Sequence, residues 1–226
     1  MTQRKITIAI DGFSSSGKST LARDLAEALN YTYLDSGAMY RAVTLYCINH
    51  NIDVHNAAQV EAALDHINLH IPPALSKTFA IHLNDRDVTD LIRSMEVSAV
   101  VSEIAAISAV RAFLVAQQQS AGKYGGIVMD GRDIGTVVFP NAELKIFVES
   151  DIETRIDRRH QELIKKGSNT SRLDVKQNLL HRDNIDSTRK DSPLLKASDA
   201  HTLNNTSLTR AQQLDAAIQL VHSISQ

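Results

Sequence analysis

The run Gly12-Phe13-Ser14-Ser15-Ser16-Gly17-Lys18-Ser19-Thr20 satisfies every fixed position of the phosphate-cradling pattern G-x-x-x-x-G-K-[ST]. Ahead of it, Ile6-Thr7-Ile8-Ala9-Ile10-Asp11 is a short β-branched run that reads as a buried parallel strand. Behind it, Leu21, Leu25 and Leu29 recur at helical spacing. Strand, glycine loop and helix is the context the pattern requires. The glycines let backbone N–H groups converge on a phosphate at a helix N-terminus. Lys18 is placed to reach the terminal phosphates, and the Ser19 hydroxyl a Mg²⁺ position. The loop implies a bound nucleoside triphosphate.

Further strands follow at Tyr31–Asp35, Gly125–Asp130, Leu144–Val148 and His201–Asn204, alternating with helical stretches. The helices are expected at Ala38–Asn49, from Asn56 up to Ile67, across Thr89–Ala121 in two or three pieces, at Asp151–Lys166, and through Leu180. Thr209-Arg210-Ala211-Gln212 is a capping box opening a last helix that buries Leu214, Ile218 and Val221. That order predicts an α/β chain with a parallel sheet covered on both faces. Between residues 68 and 88 the pattern changes. Asn68–Ile71, Pro72-Pro73 and the alternating Thr78–Leu83 read as short antiparallel strands, Asn84–Asp87 as a turn and Val88 as a further strand. This is a small inserted β element.

The chain has 226 residues, 43% hydrophobic and 22% charged, ordinary for one globular unit with an insert. A net charge of −2 gives no bulk electrostatic reason to bind nucleic acid or membrane. The one cysteine, Cys47, excludes an internal disulfide and reads as a small buried residue. Ile6–Ile10 is too short for a signal core or a span. A cytoplasmic monomer is expected.

A phosphate loop alone serves switches, motors and kinases. No Asn-Lys-x-Asp guanine-reading motif is present. Arginines instead stand near strand ends or on following helices: Arg41, Arg132, the cluster Arg155, Arg158 and Arg159, and Arg182 with Arg189. Ligands of open α/β sheets bind at the carboxyl ends of the strands, and phosphoryl transfer depends on positioning and charge neutralisation. The set therefore suits a site for two phosphorylated substrates.

Leu34-Asp35-Ser36-Gly37-Ala38-Met39-Tyr40-Arg41, the block from Asp130-Gly131-Arg132-Asp133 to Phe139-Pro140, and Arg182-Asp183-Asn184-Ile185-Asp186-Ser187-Thr188-Arg189 closely resemble bacterial cytidylate kinases. The likeness runs over essentially the whole chain. Two positions depart from the family pattern: Phe13, where proline is expected, and Ser19, where many relatives carry glycine. Neither removes a backbone donor.

The resemblance implies a P-loop three-layer fold with a central parallel sheet, an inserted acceptor-binding domain and a helical lid. The core would be 1–67 and 112–226, the insert 68–111, and the lid about 151–172. It implies transfer of the γ-phosphoryl of ATP to CMP or dCMP, with Mg²⁺. Gly12 through Thr20 would hold the donor phosphates. Ser36, Arg41, Ser102, Arg111, Arg132, Asp133, Arg182, Asp186 and Arg189 match the family's acceptor positions. Arg41 and Arg132 would grip the CMP phosphate. Ser102, Arg182 and Asp186 would face the ribose. Arg111, Arg189 and Asp133 would read the base. Lys18 and one of Arg155, Arg158 and Arg159 would meet the transferring group. Asp35 and Asp130 each end a strand where a carboxylate suits Mg²⁺-bound water, Asp35 having the alternative of capping a helix. A kinase of another small acceptor, and a nucleotide-binding regulator with little turnover, stay open on the residues alone.

Overall fold

Successive residues of the strand β1 (Thr7–Gly12) point into two different cores: Ala9 into one, Ile8 and Ile10 into the other. The same alternation recurs in a neighbouring strand, where Ile127 and Met129 join the first core and Val128 the second. These strands must therefore lie inside a sheet with helices on both faces. The computed structural model, which describes residues 5–71 and 79–224, has that form.

After β1 come α1 (Lys18–Leu29), β2 (Thr32–Asp35), α2 (Ser36–Asn49) and α3 (Ala57–Leu64). α2 starts two residues earlier than the apolar pattern suggests because the Asp35 carboxylate caps it, Oδ1 accepting from the Ala38 N–H at 2.9 Å. α3 stops short of Ile67.

The inserted β element comprises β3 (Leu69–His70), β4 (His82–Leu83) and β5 (Arg86–Asp87), paired antiparallel. Only Asn84 and Asp85 turn the chain, with φ of 48° and 66°. Arg86 and Asp87, expected in the turn, thus pair with β4, and Val88 lies buried beyond the strand. Pro72, Pro73 and Thr78 fall outside the described residues.

The next stretch forms a 3-10 turn (Leu91–Arg93), α4 (Met95–Ala105) and α5 (Ser108–Ala121). β6 (Ile127–Gly131), β7 (Leu144–Glu149), α6 (Ile152–Lys165), α7 (Arg172–Thr188), β8 (His201–Asn204) and α8 (Arg210–Ile224) complete the chain. The main sheet has 5 strands in the order β2-β6-β1-β7-β8, every pairing parallel. One face packs on α2, α4 and α5, the other on α1 and α8.

Three differences from the sequence expectation bear on the site. A π-helical turn at Ile134–Val138 follows β6, its first N–H groups, of Ile134 and Gly135, donating to the Asp11 carboxylate at 2.8 Å each. Such turns often sit at functional sites. α7 runs eight residues past Leu180, stabilised at its start by a Ser171/Asp174 capping box, so that Arg182 and Asp186 lie on a helix. On α8, Ala217 and Val221 are buried as core, while Leu214 and Ile218 are only half-buried. The face is turned toward Gln213, whose side chain is drawn inward by Asn205 (2.8 Å). The Thr209/Gln212 box forms as expected, each backbone N–H meeting the other's side chain.

α6 and α7 bury a separate small cluster of Ile156, Leu163, Val175 and Leu179. Cys47 is fully buried. Among the described residues no single helix is long and apolar enough to cross a membrane.

Candidate active site

A cavity of about 650 Å³ opens at the carboxyl ends of β1, β2 and β6. One wall is the loop between β1 and α1. Gly12 (φ 153°) leaves no room for a side chain, since a Cβ would stand 2.4 Å from the Val148 carbonyl oxygen. At Gly17 (φ 90°) a Cβ would meet the Asn205 amide at 2.8 Å. Ser14, Ser15, Gly17, Lys18, Ser19 and Thr20 line the cavity. Gly12, Phe13 and Ser16 shape the loop from outside it. The Lys18 ammonium donates to the Phe13 carbonyl at 3.0 Å. Burial, reinforced by the nearby Arg132, pushes its pKa down to about 7 despite Asp130 and Asp35. A lysine so exposed to desolvation gains most from an arriving anion.

Two strand-end carboxylates form the floor. Asp35 and Asp130 are register partners in β2 and β6. Burial and the neighbouring Asp35 charge raise the Asp130 pKa. Asp130 accepts from Ser19 Oγ at 2.6 Å and from the Tyr33 hydroxyl at 2.8 Å. Burial pushes Asp35 up, but Arg41 (2.8 Å) and the Ala38 N–H outweigh it, leaving the carboxyl below its usual value. Both Asp35 oxygens are thus engaged, one in the helix cap and one with Arg41.

Among the described residues no three His, Cys, Asp or Glu side chains form a metal cage. The adjacent Ser19 hydroxyl and Asp130 carboxylate are hard oxygen donors beside Lys18. That set fits Mg²⁺, which keeps several waters and leans on substrate phosphates.

The opposite wall is a side-chain network. Asp186, on α7, accepts from Ser102 Oγ at 3.1 Å and from Arg132 Nε at 2.8 Å. Burial alone would raise its pKa, but Arg132, Arg182 and Arg189 together hold it low. Asp133 is bonded by Arg111, with Arg189 3.8 Å from its other oxygen. Arg182 donates to Ser98 at 3.0 Å, and burial, then Arg132, lowers its pKa to about 10. The Ser36 hydroxyl donates to the Asp130 carbonyl at 2.7 Å, tying the start of α2 to the end of β6. Every residue matched to the family's acceptor positions lines this one cavity.

The three α6 arginines part company. Arg159 lines the cavity, its guanidinium held by Glu162 at 2.9 Å. Arg158 also lines it, while holding the Asn205 side chain and the Ser16 carbonyl. Arg155 does not line it. It lies under the loop, bonded to Asp183.

Arg93, Tyr40, Asn205 and Gln213 line the cavity without having been singled out from the sequence. Asn205 was the most accessible of these, since it directly follows a strand's carboxyl end. Arg93 sits on a 3-10 turn with no motif around it.

Comparison with known proteins agrees with this geometry. A family model for cytidylate kinase matches residues 8–223. A cytidylate kinase of Flavobacterium psychrophilum is 50% identical over 98% of this chain and 100% of that protein. One from Bacteroides fragilis is 52% identical over 93% of each chain. A crystal structure of an uncharacterized protein from Eubacterium ventriosum superposes with a TM-score of 0.51 at 12% identity, over 97% of this chain and 99% of that one, a likeness of fold alone. With the match extending over almost its entire length, the chain belongs to the cytidylate kinase family.

Proposed function

We propose that the protein transfers the γ-phosphoryl of ATP to CMP or dCMP, releasing ADP and CDP or dCDP. The observation that carries this reading is the facing of two walls across one cavity: a phosphate loop with Lys18 on one side and the Arg111–Asp133 and Arg132–Asp186 pairs on the other. In the transfer, an acceptor phosphate oxygen bonds to the γ-phosphorus as the bond to the β-bridging oxygen breaks. The acceptor is already anionic at neutral pH, so no general base is needed. Lys18 and the loop N–H groups hold the donor phosphates. Arg41 and Arg132 hold the acceptor phosphate in line. Of the α6 arginines, Arg158 and Arg159 are the candidates for meeting the transferring group, since both line the cavity. Ser19 and Asp130 would hold Mg²⁺, which would neutralise phosphate charge.

We further propose that residues 68–111 form the acceptor segment, since they supply Arg93, Ser98, Ser102 and Arg111 to that wall, and that 151–172 act as a lid. Closure would exclude water and limit ATP hydrolysis.

Base choice gives the sharpest test. Cytosine offers an amino donor beside ring-nitrogen and keto acceptors. An ionised Asp133 only accepts and Arg111 only donates. Uracil reverses the first two features and leaves two desolvated groups mismatched, at roughly 1–3 kcal/mol apiece. Coupled ADP release over CMP, dCMP, UMP and AMP should show kcat/KM for CMP at least ~100-fold above UMP, two penalties of about 1.4 kcal/mol each. Asp133→Ala should shrink that ratio mainly by losing CMP activity. A ratio unchanged in the variant removes Asp133 from base reading, and no ADP formation with any acceptor removes the kinase reading.

A further inference from the structure

Arg155 sits where a substrate-facing arginine would not. It is 6% exposed, in the first turn of α6, and outside the cavity lining. A single nitrogen, Nη1, donates to two elements at once: the Ser14 carbonyl at 3.2 Å and Asp183 Oδ2 at 2.6 Å. The guanidinium also lies 5.1 Å from the centre of the Phe13 ring, which stands edge-on to Phe147 at 6.5 Å. Phe13 is the residue whose carbonyl receives the Lys18 ammonium. Asp183 adjoins Arg182 and precedes Asp186 by three positions on α7. One buried guanidinium therefore joins the loop that carries Lys18 to the helix that carries two acceptor-side groups.

We infer that Arg155, acting with Asp183, is a positioning residue that fixes the phosphate loop relative to α7. The inference deepens the kinase reading above and rests on it. In-line transfer requires donor and acceptor phosphates to be held within a fraction of an ångström of one approach line. The two sets of grips belong to different elements, and Arg155 is bonded to both. The bridge has no spare strand. Arg155 Nε and Asp183 Oδ1 are buried with no hydrogen-bond partner among the described residues. Removing Arg155 leaves Asp183 with Arg132 as its charged neighbour, and removing Asp183 leaves Arg155 with the Ser14 carbonyl and the Phe13 ring, so either loss unties the loop from α7.

The test compares Arg155→Met, Arg155→Lys, Asp183→Asn and the double variant Arg155→Met/Asp183→Asn in the full chain, by steady-state kinetics with ATP and CMP and by hydrogen exchange of the ligand-free protein. Arg155→Met should lower kcat at least ~10-fold while both KM values stay within ~3-fold, the pattern of lost alignment rather than lost binding. Arg155→Lys should recover part of the loss. Asp183→Asn should lose less, because its amide oxygen still accepts. The double variant should be no worse than ~2-fold beyond Arg155→Met, since both changes cut one bridge. Amides of residues 13–16 should exchange faster in Arg155→Met. A loss confined to KM for ATP would mean that Arg155 touches the donor directly and would overturn the inference. So would kcat within ~2-fold of the parent in both Arg155→Met and Asp183→Asn, or losses that add. Should Arg155→Met fail to fold, Asp183→Asn carries the same comparison. If the parent protein forms no ADP with CMP, the kinase reading fails, and unchanged protection of residues 13–16 in the variants separately sinks the bridge.

Discussion

The two walls of the cavity are built by opposite strategies. The phosphate loop is one contiguous run, 12–20, and its chemistry is largely backbone: two glycines at positive φ, N–H groups at the start of α1, and one lysine. The facing wall draws on positions from Ser36 to Arg189 and is built of side chains, three of whose arginines pair with carboxylates. Arg111 answers Asp133, Arg132 answers Asp186, and Arg41 answers Asp35. Charge on the loop side waits for a ligand. Charge on the far side is already paired in part, three carboxylates standing against five arginines with Arg182 and Arg189 bonded to neutral oxygens, so a substrate entering there must be accommodated by pairs that hold the wall together.

That contrast implies different consequences for losing a charge from each wall. Asp133 is 4% exposed, and Arg111 beside it is equally buried. Asp133→Ala leaves the Arg111 charge in a low-dielectric wall without a carboxylate beside it, keeping the Ala105 carbonyl and the Tyr40 ring 5.5 Å from the guanidinium. We expect a loss of about 3–5 kcal/mol in unfolding free energy, the cost of breaking a buried pair from one side. Chemical denaturation of the ligand-free protein measures it. A loss below ~1 kcal/mol would mean that water reaches Arg111 and that the far wall is not self-supporting.

Lys18 should behave the other way. Lys18→Met removes a charge that burial disfavours, so the ligand-free protein should be at least as stable as the parent. Turnover should nevertheless fall by at least ~100-fold, about 2.7 kcal/mol of transition-state stabilisation from one preorganised donor. Equal losses of stability in the two variants would erase the distinction between the walls. Turnover within a few-fold of the parent would remove Lys18 from the chemistry.

The same contrast decided what the sequence made legible. The loop, the order of strands and helices and the strand-end aspartates were readable because each depends on neighbours close in the chain. Even the Asp35 alternative, cap or metal water, was framed by the residues next to it, and the cap bond is present. Pairings across the fold were not readable. Nothing local distinguishes Arg155, tied to Asp183 under the loop, from Arg159 four residues on, which faces the cavity. The extent of α7 was missed for a related reason. Its last turns, Arg182 to Thr188, carry polar side chains with little apolar period, and they are held as helix by burial of Asp186 against Ser102 and Arg132. Asp11 reads as the end of a strand. Its role in receiving the first N–H groups of the π turn depends on residues 123 and 124 positions away.

The smallest expected effect is the pH dependence of nucleotide affinity, and it tests whether the loop's charge does wait for a ligand. In the ligand-free protein Lys18 has a pKa near 7 because burial, then Arg132 beside it, disfavours its proton, with Asp130 and Asp35 opposing. Its ordinary value is 10.5, so between about pH 7 and 10.5 the unfolded chain binds more protons than the folded one. The Lys18 contribution to ligand-free stability therefore rises with pH over that window. Binding reverses the sign. Triphosphate oxygens beside the ammonium favour its charged form, so the complex takes up a proton wherever free Lys18 is neutral. At pH 7 about half of the free protein must be protonated on binding, and at pH 8 nearly all of it. The affinity for ATP should thus fall about 5-fold between pH 7 and 8, close to 1 kcal/mol. Calorimetry in buffers of different ionisation enthalpy reads the proton uptake directly. Lys18→Met, which binds more weakly but has nothing to protonate there, subtracts the titration of ATP itself. A parent protein with the same slope as Lys18→Met would show that Lys18 is charged before the nucleotide arrives, and that the loop does not hold its charge in wait for a ligand.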